Sequence, residues 1–328
     1  MPSLVDPLGR TIDYLRLSIT DRCTLRCRYC MPPGGVSWIP HDQVMRFEQM
    51  LRICRILAGL GIGIVRVTGG EPLVRKGAVD LVERLGAIDG IKRVSLTSNG
   101  VLLEEQLPAL AAAGLTSINI SLDTLDEHRF SWLTMTDYKV NAISVIDRSL
   151  ELGLDVKVNC VPMKGFNEDD IPALAALAKN RAIAVRFIEM MPLGAAAALP
   201  PLPADGVISL IEREHGPMRP SPVKLGYGPA VYYTLEGFTG YVGLISSVSH
   251  CFCDGCNRLR LTSTGILRPC LASDLGVDLA GMVRGGAADG EIADAVRGMV
   301  AVKPERHGFG LAERKQEHDN TVMYRIGG

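Results

Sequence analysis

The 328-residue chain contains no run approaching the ~20 apolar residues that a membrane span requires. Its amino terminus, Met1-Pro2-Ser3-Leu4-Val5-Asp6-Pro7, lacks a basic stretch followed by an apolar block, so no secretory leader is expected. Neither sign of charge is in excess: 35 Lys+Arg face 36 Asp+Glu, a net charge of −1. A general nucleic-acid binder normally carries surplus base, so neither nucleic acid nor membrane is an expected partner. A local basic pocket is still compatible with a neutral total. Disorder is excluded in turn, because 47% of the residues are hydrophobic and 22% charged. The expectation is a soluble, cytoplasmic protein of about two domains.

Six stretches read as strands: 14–20, 64–68, 93–97, 117–122, 155–161 and 185–190. They are Val/Ile/Leu-rich and are read with little alternation, as for parallel strands buried on both faces. Helices are expected between them near 42–60, 76–89, 103–113, 137–152 and 168–180; in the first, Val44, Phe47, Leu51, Cys54 and Ala58 keep helical spacing. Six such units predict an α/β fold, a partial (βα)6 TIM-like barrel open at the side, with functional groups at the strands' carboxyl ends. After Met191 the pattern breaks. Residues 194–206 are an Ala/Pro stretch read as an extended connector. A helix near 205–214, strands at 231–235, 240–245 and 259–267, and a helix at 289–300 predict a smaller α+β C-terminal domain. The expected division is 1–195 and 196–328.

In a reducing compartment, nine cysteines point to metal or catalysis rather than disulfides. Cys54, on a helix face, and Cys160, inside a strand, are expected to be buried small hydrophobes. Cys23, Cys27 and Cys30 form C-x3-C-x2-C directly after the first strand, with no fourth Cys nearby and His41 the nearest His. Structural zinc wants four ligands. A cubane cluster normally takes four thiolates, so three leave one iron open to chelate a substrate. The first triad is read in this second way. Cys253, Cys256 and Cys270 form C-x2-C-x13-C; taken alone, that triad stands between an open cluster and a zinc site with Cys251 as fourth ligand.

With Tyr29 immediately before its third cysteine, the first triad resembles the signature of radical S-adenosylmethionine (SAM) enzymes. Thr68-Gly69-Gly70-Glu71-Pro72 after the second strand strengthens the likeness. Further segments resemble the GTP 3′,8-cyclase family of molybdenum cofactor biosynthesis across essentially the whole chain. They include Leu96-Thr97-Ser98-Asn99-Gly100, Asn119-Ile120-Ser121-Leu122-Asp123, Arg186-Phe187-Ile188-Glu189, Phe252-Cys253 through Leu261, and the terminal Gly327-Gly328.

The resemblance implies a lyase with two 4Fe-4S clusters and SAM. A 5′-deoxyadenosyl radical would remove hydrogen from C3′ of GTP, and C3′ would attack guanine C8. The product would be (8S)-3′,8-cyclo-7,8-dihydroguanosine 5′-triphosphate. Cys23, Cys27 and Cys30 would hold the first cluster, and Cys253, Cys256 and Cys270 the second, whose free iron would meet the base. Tyr29, Gly70, Ser121 and Met191 map to SAM positions. Thr97, Arg258, Leu259 and Arg260 map to GTP positions, with Arg258 and Arg260 on one face of their strand. Arg16, Arg66, Lys157 and Arg186 also interrupt apolar strands, where an unpaired base is costly. They are read as triphosphate ligands; the alternative is ion pairing with Glu71 or Glu189. Ile64 departs from the pattern, since some relatives carry another base there. Arg16, Gly327 and Gly328 are the catalytic candidates, the tail inserting toward the site. Expected partners are GTP, a one-electron reductant, a downstream cyclic pyranopterin monophosphate synthase linked by metabolism, and a second copy in a homodimer. The rival reading is a peptide-modifying radical SAM enzyme with an auxiliary cluster, although those often carry more cysteines in the back domain.

Overall fold

The strands of the front half alternate strictly. Tyr-Leu-Arg-Leu-Ser, Ile-Val-Arg-Val-Thr, Ser-Ile-Asn-Ile-Ser and Asp-Val-Lys-Val-Asn each place apolar residues on one face and mostly polar ones on the other. In the computed structural model, which describes residues 3–32, 34–309 and 323–327, the apolar face packs on helices and the other lines the barrel interior. Leu15, Leu17, Val65, Val67, Leu96, Ile118, Ile120, Val158, Val185 and Phe187 are 2% exposed or less. Burying each contributes roughly 1.5–3 kcal/mol. The expectation of little alternation is therefore corrected: both faces are largely buried, but the inner one is polar because it lines a site.

A short hairpin, β1 (Leu4–Val5) with β2 (Thr11–Ile12), precedes a twelve-stranded sheet. Its centre is six parallel strands: β3 (Tyr14–Ser18), β4 (Ile64–Thr68), β5 (Arg93–Ser98), β6 (Ser117–Ser121), β7 (Asp155–Cys160) and β8 (Ala184–Ile188). The crossovers carry α1 (Phe47–Gly59), α2 (Ala78–Gly86), α3 (Leu103–Ala112), α4 (Glu127–Thr134), α5 (Ala142–Glu151) and α6 (Ile171–Ala176). Sequence reading missed α4, whose apolar stripe is weak; it starts where the Asp126 carboxylate accepts from Arg129 N–H at 2.7 Å. Cys54 and Cys160 are fully buried, as expected.

The back half comprises α7 (Ala204–His215), β9 (Arg219–Ser221), β10 (Val231–Thr234), β11 (Tyr241–Ile245), β12 (Arg258–Leu261), β13 (Ile266–Arg268), β14 (Val277–Asp278), α8 (Leu279–Arg284), α9 (Asp289–Ala301) and α10 (Met323–Ile326). Two expectations change here. Residues 259–267 are not one strand but the hairpin β12–β13, reversed through Thr262–Gly265, where the Gly265 N–H donates to Thr262 O at 2.9 Å. The Ala/Pro connector is not extended throughout: Gly194–Ala198 forms a 3-10 turn and α7 begins at Ala204.

The back strands extend the front sheet at both edges. β12 pairs parallel with β3, and β11 pairs parallel with β8. Eight parallel strands thus follow one another, from β12 through β3–β8 to β11, yet β11 and β12 form no ladder with each other. The barrel is open on that side. Among the described residues no helix is long and apolar enough to cross a membrane.

Candidate active site

The loop bearing Cys23, Cys27 and Cys30 leaves the carboxyl end of β3 and is fixed by the turn after β4. Gly70 N–H donates to Thr20 O at 2.9 Å and Glu71 N–H to Arg22 O at 2.8 Å. A Cβ on Gly70 would lie 2.4 Å from Arg22 O, and one on Gly69 2.5 Å from Thr20 O, so only glycine admits this approach. Glu71 is wholly buried and accepts from Leu73 N–H (3.1 Å), Ser98 Oγ (3.1 Å) and Asn99 N–H (2.7 Å). Burial nevertheless pushes its carboxyl up to about 7. Asn99 passes the order onward, donating Nδ2 to Thr24 Oγ1 at 3.0 Å and to Cys23 Sγ at 3.5 Å; Leu25 N–H also reaches that sulfur at 3.4 Å. Tyr29 donates its hydroxyl to Asp123 Oδ2 at 2.8 Å, and burial pushes the Asp123 carboxyl up to about 6. Asn99 and Asp123 received no role from the sequence, although both lie in strand-end motifs that were legible there.

Cys253, Cys256 and Cys270 line the same cavity as the first triad, a space of roughly 350 Å³ bounded by both halves of the chain. Burial alone would raise the Cys256 thiol, but the Arg258 guanidinium and Lys303 ammonium bring it down to about 7. The spacing of the sulfurs bears on what they hold. Four ligands around one zinc ion lie roughly 3.8 Å apart for sulfur, from the Zn–S bond length and tetrahedral geometry. In neither predicted triad are all three sulfurs within 4.8 Å of one another. Neither set converges as tightly as a single-ion site would, which accords with a larger cluster.

The cations of the site are ordered by strand register. Arg260, Arg16 and Arg66, which line the cavity, stand opposite one another across β12, β3 and β4, and Arg268 on β13 continues the row beyond the cavity lining. Arg268 escaped the sequence reading; its Nε and Nη1 are buried without a hydrogen-bond partner among the described residues. Farther round, Thr97, Asn119 and Lys157 share a second row, and Asn159 adjoins Arg186. Arg66 Nε donates to the Tyr14 hydroxyl, and Arg186 donates to Asn159 Oδ1 at 2.9 and 2.7 Å. Burial, then the Arg186 and Arg66 charges, lower Lys157 to about 8. Burial and neighbouring Arg258 bring Arg260 down to about 10, and burial together with Arg260 also depresses Arg16.

The ion-pair alternative fails. Glu71 is filled by neutral donors, Glu189 accepts from Val248 and Ser249 N–H at 2.7 and 2.9 Å, and among the described residues no ion pair joins either carboxylate to a base. Facing guanidinium groups on neighbouring strands make a cation-rich lining that suits an anionic ligand.

Tyr29, Gly70, Ser121, Met191, Thr97 and Arg258 also line the cavity. Leu259 does not: its side chain is fully buried on the apolar face, leaving only its backbone in β12. Ile64 lies at the level of Arg93, whose guanidinium is held by Asp155 at 2.5 Å. Gly327 is buried with φ +72, and a Cβ there would meet Thr68 Cγ2 at 2.8 Å; its carbonyl accepts from Arg260 Nη1 at 2.7 Å. Gly328 lies outside the described residues.

A profile of the radical SAM superfamily matches residues 17–178, and a Molybdenum Cofactor Synthesis C profile matches residues 183–309. The chain is 44% identical to a GTP 3′,8-cyclase of Pelotomaculum thermopropionicum, over 98% of this chain and 99% of that one. It is 39% identical to a GTP 3′,8-cyclase of Clostridium perfringens, again over 98% and 99%. The crystal structure of Streptococcus suis SuiB bound to S-adenosylmethionine matches with a TM-score of 0.59 at 16% identity, covering 88% of this chain and 68% of that chain. That likeness shows the fold alone. With near-full-length identity of this order, the chain belongs to the GTP 3′,8-cyclase family of the radical SAM superfamily.

Proposed function

We propose that this chain converts GTP to (8S)-3′,8-cyclo-7,8-dihydroguanosine 5′-triphosphate, the first step of molybdenum cofactor biosynthesis, and works in the cytoplasm. The observation that carries the reading is a single cavity bearing two cysteine triads and three facing arginines, Arg260, Arg16 and Arg66. When bound, the clusters and SAM would supply one-electron cleavage and hydrogen abstraction at ribose C3′, the chemistry needed to join C3′ to guanine C8.

The chain's own residues bind and orient. Cys23, Cys27 and Cys30 hold the first cluster, and Cys253, Cys256 and Cys270 the second. Tyr29, Gly70, Ser121 and Met191 hold SAM. Arg16, Arg66, Lys157 and Arg186 take the triphosphate, while Thr97, Arg258, Arg260 and the Leu259 backbone take the rest of the nucleotide. Arg16 with the Gly327-Gly328 tail closes on the reacting ribose, excluding water and stray donors. Residues 1–195 serve SAM cleavage and 196–328 carry the auxiliary cluster. An external one-electron reductant, a homodimer and a downstream synthase complete the reading. The peptide-modifying alternative gains nothing from SuiB, whose likeness reaches the fold only.

Reduced enzyme with about eight iron atoms per chain should form 5′-deoxyadenosine in a GTP-dependent way. No excess over a GTP-free control would reject cyclisation. Gly70→Val is expected to push the cysteine loop off the β4 turn, halving iron after reconstitution and lowering SAM cleavage by about a hundredfold. Full iron and ordinary cleavage in that variant would show that the loop does not depend on the close approach. Lys157 is cationic below about 8 and loses its proton as the pH rises through that value, so kcat/KM for GTP should fall on the alkaline side. Lys157→Arg should remove that limb; a limb unmoved by arginine would assign it to another group.

A further inference from the structure

Beside the second triad lies a tighter group that the cyclase reading leaves unused. Among the described residues, Cys251, Cys253 and His307 are the only trio of His, Cys, Asp or Glu whose ligand atoms all fall within 4.8 Å of one another. Around a tetrahedral zinc ion such donors lie roughly 3.5–3.8 Å apart, given Zn–S near 2.3 Å and Zn–N near 2.0 Å. Closing the gap takes about an ångström of side-chain movement at most.

The two segments are already pinned together. Arg10, next to β2, is held by Asp6 at 2.5 Å and donates to Cys253 O (2.8 Å), Glu305 O (3.1 Å) and Pro304 O (2.9 Å). One buried guanidinium thus ties the 3-10 turn that begins at Cys253 to the segment two residues before His307. His307 Nε2 is buried and has no hydrogen-bond partner among the described residues, while Nδ1 accepts from Phe309 N–H at 3.3 Å. Metal binding at Nε2 would place the ring proton on Nδ1, at the loss of that long hydrogen bond.

We propose that Cys251, Cys253 and His307 form a single-ion site for a Zn²⁺-class divalent cation, filled when the auxiliary cluster is absent and excluding that cluster while occupied. Two thiolates and an imidazole are the donor set such borderline-soft cations take, with water in the fourth position. Exclusion follows because Cys253 belongs to both sets and cannot serve two centres at once. The site is distinct from the cluster set in requiring Cys251 and His307 but neither Cys256 nor Cys270.

The test uses the full chain, stripped of clusters under reductant and chelator and titrated with Co²⁺ alone. One Co²⁺ per chain should give thiolate charge-transfer bands and the strong visible bands of a tetrahedral ion. Cys251→Ser and His307→Asn should each weaken binding by about tenfold or more, whereas Cys256→Ser and Cys270→Ser should not. Zn²⁺-loaded chain should then reconstitute to about four iron atoms rather than about eight, and the Cys251→Ser/His307→Asn double variant should recover about eight in the same Zn²⁺. Absence of a tetrahedral spectrum, or loss in Cys256→Ser and Cys270→Ser equal to that in Cys251→Ser, would overturn the assignment. So would Zn²⁺ that leaves reconstitution of the native chain unaffected. About four iron atoms on the first cluster certify the fold of each variant, and Cys251→Ala and His307→Gln stand in for any that fail. No turnover is measured, so the outcome is independent of the GTP reaction.

Discussion

Replacing Arg260 by leucine is expected to lower GTP cyclisation by about a thousandfold while both clusters remain loaded. The side chain is buried at the centre of the guanidinium row, opposite Arg16 and Arg268, and it is the described donor to the Gly327 carbonyl. Its loss would remove the charged contact to substrate proposed above and leave a buried carbonyl unsatisfied, each about 1.5–3 kcal/mol. Together these account for a thousandfold, about 4 kcal/mol. Deleting Gly327-Gly328 should reproduce the defect, again with iron content intact. The measurement is product formed in a single turnover beside iron and sulfide per chain. Unchanged product in either variant would take the tail out of the reaction; a loss of iron would instead give Arg260 a structural task.

Glu71→Leu carries the second large effect, on stability. Three donors, from Leu73, Ser98 and Asn99, converge on this fully buried carboxylate. Leucine satisfies none of them, and two are backbone N–H groups, that of Leu73 buried. The expected loss is about 3–5 kcal/mol, read as a lower denaturant midpoint at unchanged slope. Asn99 would also lose its anchor and, with it, the hydrogen bond to Cys23 Sγ, so the first cluster should load poorly. Glu71→Gln should fall between, because its amide nitrogen must face a donor. A leucine variant as stable as the parent would mean that the strand-end loops are ordered without this carboxylate.

The fold was legible because its signals are local. β4 runs over Ile64–Thr68, the stretch read from sequence, and the other five central strands lie within one or two residues of expectation at each end. Alternation was equally visible in Leu15-Arg16-Leu17 and Val65-Arg66-Val67, yet Val/Ile/Leu content masked it; counting period two would have exposed the polar inner face and drawn in Ser95, Asn119 and Asn159. The cysteine triads were legible by spacing. What escaped depends on distant segments meeting. Arg10 reaches Cys253 and Glu305 across more than 240 residues, and nothing near Arg10 in the chain announces it. His307, a single histidine in a loop, gains meaning only beside Cys251 and Cys253. Leu259 shows the converse: its neighbours line the cavity while strand geometry turns its side chain outward.

The attachment of β11 and β12 to opposite margins of one sheet limits how this molecule can breathe. A clam-shell motion between its halves would have to rip out two parallel ladders of backbone hydrogen bonds, each buried against helices. The two halves are therefore joined into one continuous sheet, and the open side between β11 and β12 is where backbone pairing leaves the chamber unfastened.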